Sequence, residues 1–277
     1  MKKNILIIGR KSFIGSNLFL DLKYKHNLKI IDYKKIIKKK LSELSKFDYL
    51  INCASNKNYI QKKYSKKNDF DLIIANKIKN SNTKMVFLSS RKIYKSGYDL
   101  KESSNTAPTC NYSKNKLISE TNLKKVLNRN ILILRVSNLI GIHAKHKNKL
   151  HYTFLDIFFD KIKKGIILKN DECYKDFLSI NKFSQIVSEL IKNDAKGTYN
   201  VSIGKKIYLN QITKWLNHYN KNNYKYVKLD KSHNKDSFTL NNKKLMKKIS
   251  LLNRIVDLKN DCKMISKKFF NKKNYEK

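Results

Sequence analysis

Tyr112 and Lys116 stand four residues apart in the stretch Asn111-Tyr112-Ser113-Lys114-Asn115-Lys116. On a helix that spacing puts the phenol and the ammonium on one face, one turn apart. A phenol ionises near pH ~10 and is a poor proton donor or acceptor at neutrality. An ammonium held beside it favours the phenolate and brings the group towards the range in which acid–base catalysis works. In a chain with 16 tyrosines and 62 basic residues the spacing arises easily by chance, and alone it favours a surface Tyr/Lys pair. The deciding question is whether the rest of the chain builds a cofactor site beside it.

The elements that would do so begin at the N-terminus. Asn4 to Ile8 is a continuous apolar strand, followed by Gly9-Arg10-Lys11-Ser12-Phe13-Ile14-Gly15 and a helical pattern carrying Leu18 and Leu22. A second strand, Leu28 to Ile31, ends at Asp32. Strand, tight turn, helix and strand make the first half of a doubly wound nucleotide-binding fold. Gly9 allows the turn, Gly15 allows close helix packing, and the helix start offers N–H groups to a pyrophosphate. Asp32, 23 residues after Gly9, is placed to bond both ribose hydroxyls. Tyr49 to Ala54, Met85 to Ser90 and Ile131 to Val136 continue the strands, with helices near Asp69 to Ile78 and from Tyr112 between them. The alternation predicts an α/β fold with a parallel sheet and function at the carboxyl ends of its strands, where Asp32, Ala54, Ser90 and Asn138 fall.

Beyond Gly141 the pattern loosens into a helix at Phe154 to Ile162 and short apolar segments at Gly165 to Leu168 and Asp176 to Ile180. A helix at Phe183 to Ile191 and a strand at Gly197 to Val201 follow. Helices are expected around Asn210–Leu216 and Leu245–Leu251, before a lysine-rich tail expected to fray. The division this suggests is a Rossmann nucleotide-binding domain of residues 1–140 with 176–204. Residues 141–175 with 205–277 form a small, discontinuous C-terminal substrate lobe.

Composition narrows the class. A hydrophobic content of 40% supports a buried core. No apolar run reaches the ~18 residues of a membrane span. Four cysteines without C-x-x-C spacing indicate neither a disulfide framework nor a metal site, and a cytoplasmic location is expected. The net charge of +41 would ordinarily suggest nucleic acid. Only five of the basic residues are arginine, the usual fork for bases and phosphates. The lysines are also spread along the whole chain with Asn and Ile, as an AT-rich coding bias would produce. A nucleic-acid partner is therefore disfavoured.

Several motifs, in order, resemble one family: the extended short-chain dehydrogenases/reductases, also called the NAD-dependent epimerase/dehydratase family. Gly9-x-x-Ser12-x-x-Gly15 with Phe13-Ile14-Gly15 is similar to its G-x-x-G-x-x-G turn ending in FIG. Ser89-Ser90-Arg91-Lys92-Ile93-Tyr94 resembles its SS-x-x-V-Y segment, and Pro108 with Asn111-Tyr112 to Lys116 and Glu120 its Tyr/Lys stretch. Arg135-Val136-Ser137-Asn138 with Gly141, Lys175-Asp176-Phe177 and Gly197 to Val201 resemble its R-x-x-N-x-x-G, RDF and G-x-Y-N-V segments; Asp236 to Leu245 is a weaker counterpart. The resemblance implies catalysis by Ser90, Tyr112 and Lys116. It implies cofactor binding by Gly9, Ser12, Phe13, Ile14, Gly15, Asp32, Ala54, Tyr112 and Lys116, and substrate contacts from Ser90, Asn138 and Lys175. NAD(H) is expected because Asp32 would repel a 2′-phosphate, with NADP(H) the alternative because Arg10, Lys11, Lys34 and Lys35 soften that repulsion.

Three departures bear on the chemistry. Ser12 replaces the middle glycine, Lys175 replaces the usual arginine, and Arg91-Lys92 stand where sugar 4,6-dehydratases carry an Asp-Glu pair. The last disfavours water elimination. The substrate implied is a nucleotide sugar, of the kind used in polysaccharide biosynthesis. The first expectation is a 4-keto sugar reductase with Tyr112 as proton donor, since the chain is short for the family. The alternatives are a 4-epimerase with retained NAD and, remotely, a non-catalytic nucleic-acid-binding member of the fold. The family also implies a homodimer through the Tyr112 helix and the helix before it.

Overall fold

In a computed structural model the described residues are 2–142, 153–169, 172–221, 225–228, 236–251 and 254–271. The first half runs β1 (Asn4–Ile8), α1 (Phe13–Leu22), β2 (Asn27–Ile31), α2 (Tyr33–Ile37), α3 (Leu41–Leu44), β3 (Tyr49–Asn52), α4 (Lys57–Gln61), α5 (Phe70–Ile78) and β4 (Lys84–Ser90). It continues with β5 (Gly97–Leu100), α6 (Asn111–Leu127), β6 (Ile131–Val136) and β7 (Asn138–Ile140). The second half comprises α7 (Phe154–Lys163), β8 (Ile166–Lys169), β9 (Tyr174–Lys175), β10 (Phe177–Ser179), α8 (Ile180–Lys192), β11 (Gly197–Val201), β12 (Ile207–Tyr208), α9 (Leu209–Leu216), β13 (Lys225–Lys228), β14 (Phe238–Leu240), α10 (Lys243–Met246) and α11 (Ile255–Asn271).

Six strands pair in the order β11–β6–β4–β3–β1–β2, and every pairing is parallel. Their continuous apolar sequences follow from burial on both faces. Ile5 and Ile7 of β1 face one core, while Leu6 and Ile8 face the other. Val86 and Leu88 alternate in the same way with Met85 and Phe87. One core is closed by α1 and α8, and continues without a break into Phe158 of α7, Ile212 of α9 and Leu258 of α11. The other is closed by the side of α5 and α6 bearing Ile74, Ile78, Leu123 and Leu127. From β1 the chain moves outward to β2, then crosses back to β3 and on to β4. The strand order therefore reverses between β1 and β3, where open α/β sheets open a crevice at their carboxyl ends.

The C-terminal part departs from expectation in two places. The helix expected over Leu245–Leu251 is only the single turn Lys243–Met246, anchored where Asn242 Nδ2 donates to the carbonyls of Ser202 and Ile203. The expected fraying tail is instead the 17-residue helix α11, and only 272–277 lie outside the described residues. Its many lysines obscure Leu258, Cys262 and Ile265, which recur at helical spacing and are buried in the core shared with α9. Among the described residues no helix is long and apolar enough to cross a membrane.

Candidate active site

The turn after β1 is shaped by steric necessity. Gly9 has φ +106°, and a Cβ there would lie 2.9 Å from the backbone nitrogen of Ala54. A Cβ on Gly15 would lie 2.5 Å from the carbonyl oxygen of Gly9 and 2.7 Å from Ser12 Oγ. Ser12 caps α1, its Oγ accepting the Gly15 N–H at 2.8 Å. The residue standing in place of the middle glycine thus supplies the helix with an internal cap. Gly15→Ala should therefore separate α1 from the turn, costing about 1–3 kcal/mol. The expected result is a lower melting temperature together with loss of dinucleotide binding, read by melting with and without added NAD.

Beside this turn lies a cleft of about 400 Å³. Phe13 and Ile14 line one wall, and Cys53 and Ala54, following β3, line the next. Ser90 comes from the end of β4, Tyr112 and Lys116 from α6, Asn138 from the start of β7, and Lys175 from β9. Gly9, Ser12 and Gly15 form the turn behind Phe13 and Ile14. Asp32 lies outside the lining, at the carboxyl end of β2 before α2. Of the sequence-predicted residues, Phe13, Ile14, Ala54, Ser90, Tyr112, Lys116, Asn138 and Lys175 thus meet in this cleft, while Gly9, Ser12, Gly15 and Asp32 lie outside its lining.

Tyr112 and Lys116 are both carried by α6. Its first turn is fixed by Ser113, whose Oγ accepts the Cys110 N–H at 3.2 Å and donates to the Cys110 carbonyl at 2.9 Å. Asn115 Nδ2 donates to the carbonyls of Tyr59 (2.7 Å) and Lys62 (2.9 Å), binding the helix to the segment below it. Lys116 is buried, its Nζ 4.5 Å from the centroid of the Phe87 ring and 3.9 Å from Asp71 Oδ2. A turn further on, Glu120 forms a two-pronged buried pair with Arg135 of β6, Nε–Oε1 at 3.1 Å and Nη2–Oε2 at 2.7 Å. Ser89 Oγ donates to the same carboxylate at 2.5 Å. Glu120 therefore joins the helix bearing Tyr112 and Lys116 to the strand end bearing Ser90.

At the mouth of the cleft Asp236 is held by both prongs of Arg91 (2.7 and 2.5 Å) and by Lys175 Nζ (2.7 Å). Burial works to raise its pKa, but the hydrogen bonds and charges of Arg91 and Lys175 prevail and hold it down at about 2. It is therefore ionised at neutral pH and cannot serve as the missing acid of a dehydratase. Asp236 and Asp71 line the cleft without having been singled out as site residues. Their partners, Arg91 and Lys116, lie 145 and 45 positions away in sequence.

The glycine turn, the helix start and the cleft walls fit a dinucleotide, because the first turn of α1, an anion-binding element, opens beside a cleft walled by Phe13 and Ile14. The model of the NAD dependent epimerase/dehydratase family matches residues 5–202. The chain belongs to this family. Its members are NAD-dependent enzymes of the extended short-chain dehydrogenase/reductase fold, the fold seen here. No curated protein sequence matches the chain. Among solved structures it resembles a UDP-N-acetylglucosamine 4-epimerase from Methanobrevibacter ruminantium in complex with UDP-N-acetylmuramic acid. The identity is 22% and the TM-score 0.82, over 98% of this chain and 100% of that one. A UDP-glucose 4-epimerase from Thermotoga maritima, solved with UDP-glucose, is 16% identical with a TM-score of 0.72 over 98% and 99% of the two chains. The enzyme WbmG from Bordetella bronchiseptica, in complex with NAD, is 17% identical with a TM-score of 0.75 over 98% and 95%.

Proposed function

We propose that this member of the family is a nucleotide-sugar 4-epimerase that retains its NAD. The observation that carries the reading is the convergence of Ser90, Tyr112 and Lys116 on one cleft whose wall is the Phe13–Ile14 end of the glycine turn. The Gly9–Gly15 turn and α1 would hold the pyrophosphate, and Asp32 a ribose. NAD, when bound, supplies a hydride acceptor and the matching donor. Tyr112 moves the proton of the sugar hydroxyl, taking it during oxidation and returning it during reduction. Ser90 donates a hydrogen bond to the same oxygen as charge develops on it. Lys116 supplies positive charge to the tyrosine side of the cleft and a donor for the nicotinamide ribose. Asn138 and Lys175 contact the sugar and its diphosphate. Arg91, paired through both terminal nitrogens with Asp236, provides no base for eliminating water.

The shortness that suggested a 4-ketoreductase loses its force, because an epimerase chain is matched over its whole length by this one. The two reactions separate cleanly in a test on purified protein. A 4-epimerase releases bound NAD on denaturation and interconverts 4-hydroxy nucleotide sugars with no net change in cofactor absorbance. Stoichiometric NADH consumption with a 4-keto nucleotide sugar, from protein purified without cofactor, would assign the reductase instead.

A further inference from the structure

Asp71 lines the cleft, yet the reaction above gives it no part. It is only 6% exposed and sits in the first turn of α5. That turn is fixed from both sides. Asp69 caps it, Oδ1 accepting the Leu72 N–H at 3.0 Å, and Phe70 stacks on Tyr33 of α2 with ring centroids 3.3 Å apart. Asn52, at the end of β3, donates Nδ2 to Asp71 Oδ1 at 2.9 Å. The second carboxylate oxygen is left facing Lys116 Nζ. That ammonium is otherwise walled by the rings of Phe87 and Tyr59, 4.5 and 5.5 Å from their centroids.

We infer that Asp71 is a positioning residue for the reaction: its carboxylate is the counter-charge that holds the Lys116 ammonium on the cofactor side of the cleft. The inference rests on the proposed role of Lys116. A buried ammonium with only ring faces around it is costly, and it either loses its proton or moves to solvent. One carboxylate opposite it removes both outcomes. The 3.9 Å separation matters too, because the ammonium is not consumed by a short hydrogen bond and keeps its donors for the cleft.

The groups facing Asp71 define its titration. Lys116 reaches it from α6, Asp69 from the preceding residues, Tyr33 from α2, Tyr59 from α4, and Cys53 from the segment after β3. Burial pushes the Asp71 carboxyl up; Lys116 draws it down and Asp69 raises it again, leaving it at about 6. Tyr33 is raised to about 12, while Tyr59 and Cys53 are raised further, each chiefly by burial. None of these three changes charge between pH 5 and 9. Over that range the counter-charge is lost as pH falls through about 6. The stability consequence has the opposite sense. A carboxylate raised by folding stabilises the protein when protonated, and that contribution is lost as pH rises through about 6.

Asp71→Asn retains the shape and the Asn52 contact but removes the charge. Without its counter-charge the Lys116 ammonium is no longer held, so kcat is expected to fall at least about tenfold and the acid limb near pH 6 to disappear from the rate profile. A purely structural residue would leave the limb in place, and that result would overturn the inference. A second readout needs no sugar turnover. Acetic anhydride labelling at pH 8, read by mass spectrometry, should modify Lys116 several-fold more in Asp71→Asn than in the unmodified chain, normalised to Lys114; an unchanged ratio would overturn the inference even if the sugar chemistry proves to be another reaction. Lys116→Met provides the reciprocal test should Asp71→Asn not fold. Water-soluble carbodiimide, which attacks the protonated acid, should then label Asp71 more at pH 6.5, and no increase would sink the proposal.

Discussion

Tyr112→Phe is expected to lower the rate of sugar turnover by about 10²–10⁴-fold, the range lost with a positioned acid–base group, while the protein folds and melts as before. The phenol lines the cleft in the first turn of α6, and that turn is set by Ser113 and Cys110, so removing one oxygen disturbs no cap. Helix propensities of Tyr and Phe are nearly equal. The deficit should fall on kcat, because the proton moves only as the hydride does, and retained NAD should be unchanged. Two measurements check it together: conversion of a UDP-hexose followed by product stereochemistry, and the NAD released on denaturation. A variant with full kcat would remove Tyr112 from the reaction and with it the proposed function. A variant without NAD would mean that the hydroxyl serves cofactor binding instead.

The Rossmann half was legible because its physics is local. A strand buried on both faces must be apolar throughout, and a turn too tight for a side chain must be glycine, so β1 and Gly9 declare themselves within 15 residues. Ser90, Tyr112 and Lys116 were named through the family resemblance, and the fold brings the three to one cleft at the carboxyl edge of the sheet. The partnerships at the edges of the cleft were not legible. Nothing near Arg91 in sequence indicates Asp236, and the two meet only because β5 and β14 pair across about 140 residues. Asp71 was hidden differently. At the start of a helix an aspartate is an ordinary residue, and its burial against Lys116 depends on how α5 packs beside α6. The helix α11 was concealed by composition, because lysines on its outer face dilute three buried apolar residues whose spacing alone marks it.

Arg135→Met is expected to cost about 3–5 kcal/mol, the penalty for leaving one partner of a buried ion pair without the other. Glu120 would retain its charge at 2% side-chain exposure, with the Ser89 hydroxyl as its remaining donor. The loss extends further, because Arg135 Nη1 also donates to Tyr94 OH (2.6 Å) and to the Glu102 carbonyl (2.8 Å). Tyr94 OH in turn donates to Asn200 Oδ1 at 2.9 Å, and the Asn200 N–H donates to Glu102 Oε1 at 2.8 Å. One guanidinium thus ties α6 and β4 to β11 and the 94–102 segment. For a chain of this size the melting temperature should fall by roughly 6–20 °C. Removing both charges, Glu120→Gln with Arg135→Met, should recover part of that fall, since no buried charge is then left unpaired. The same comparison reports on catalysis. If Glu120 matters by aligning Ser90 with Tyr112, the double variant regains stability but not kcat. Equal recovery of both would show that the pair only stabilises the fold.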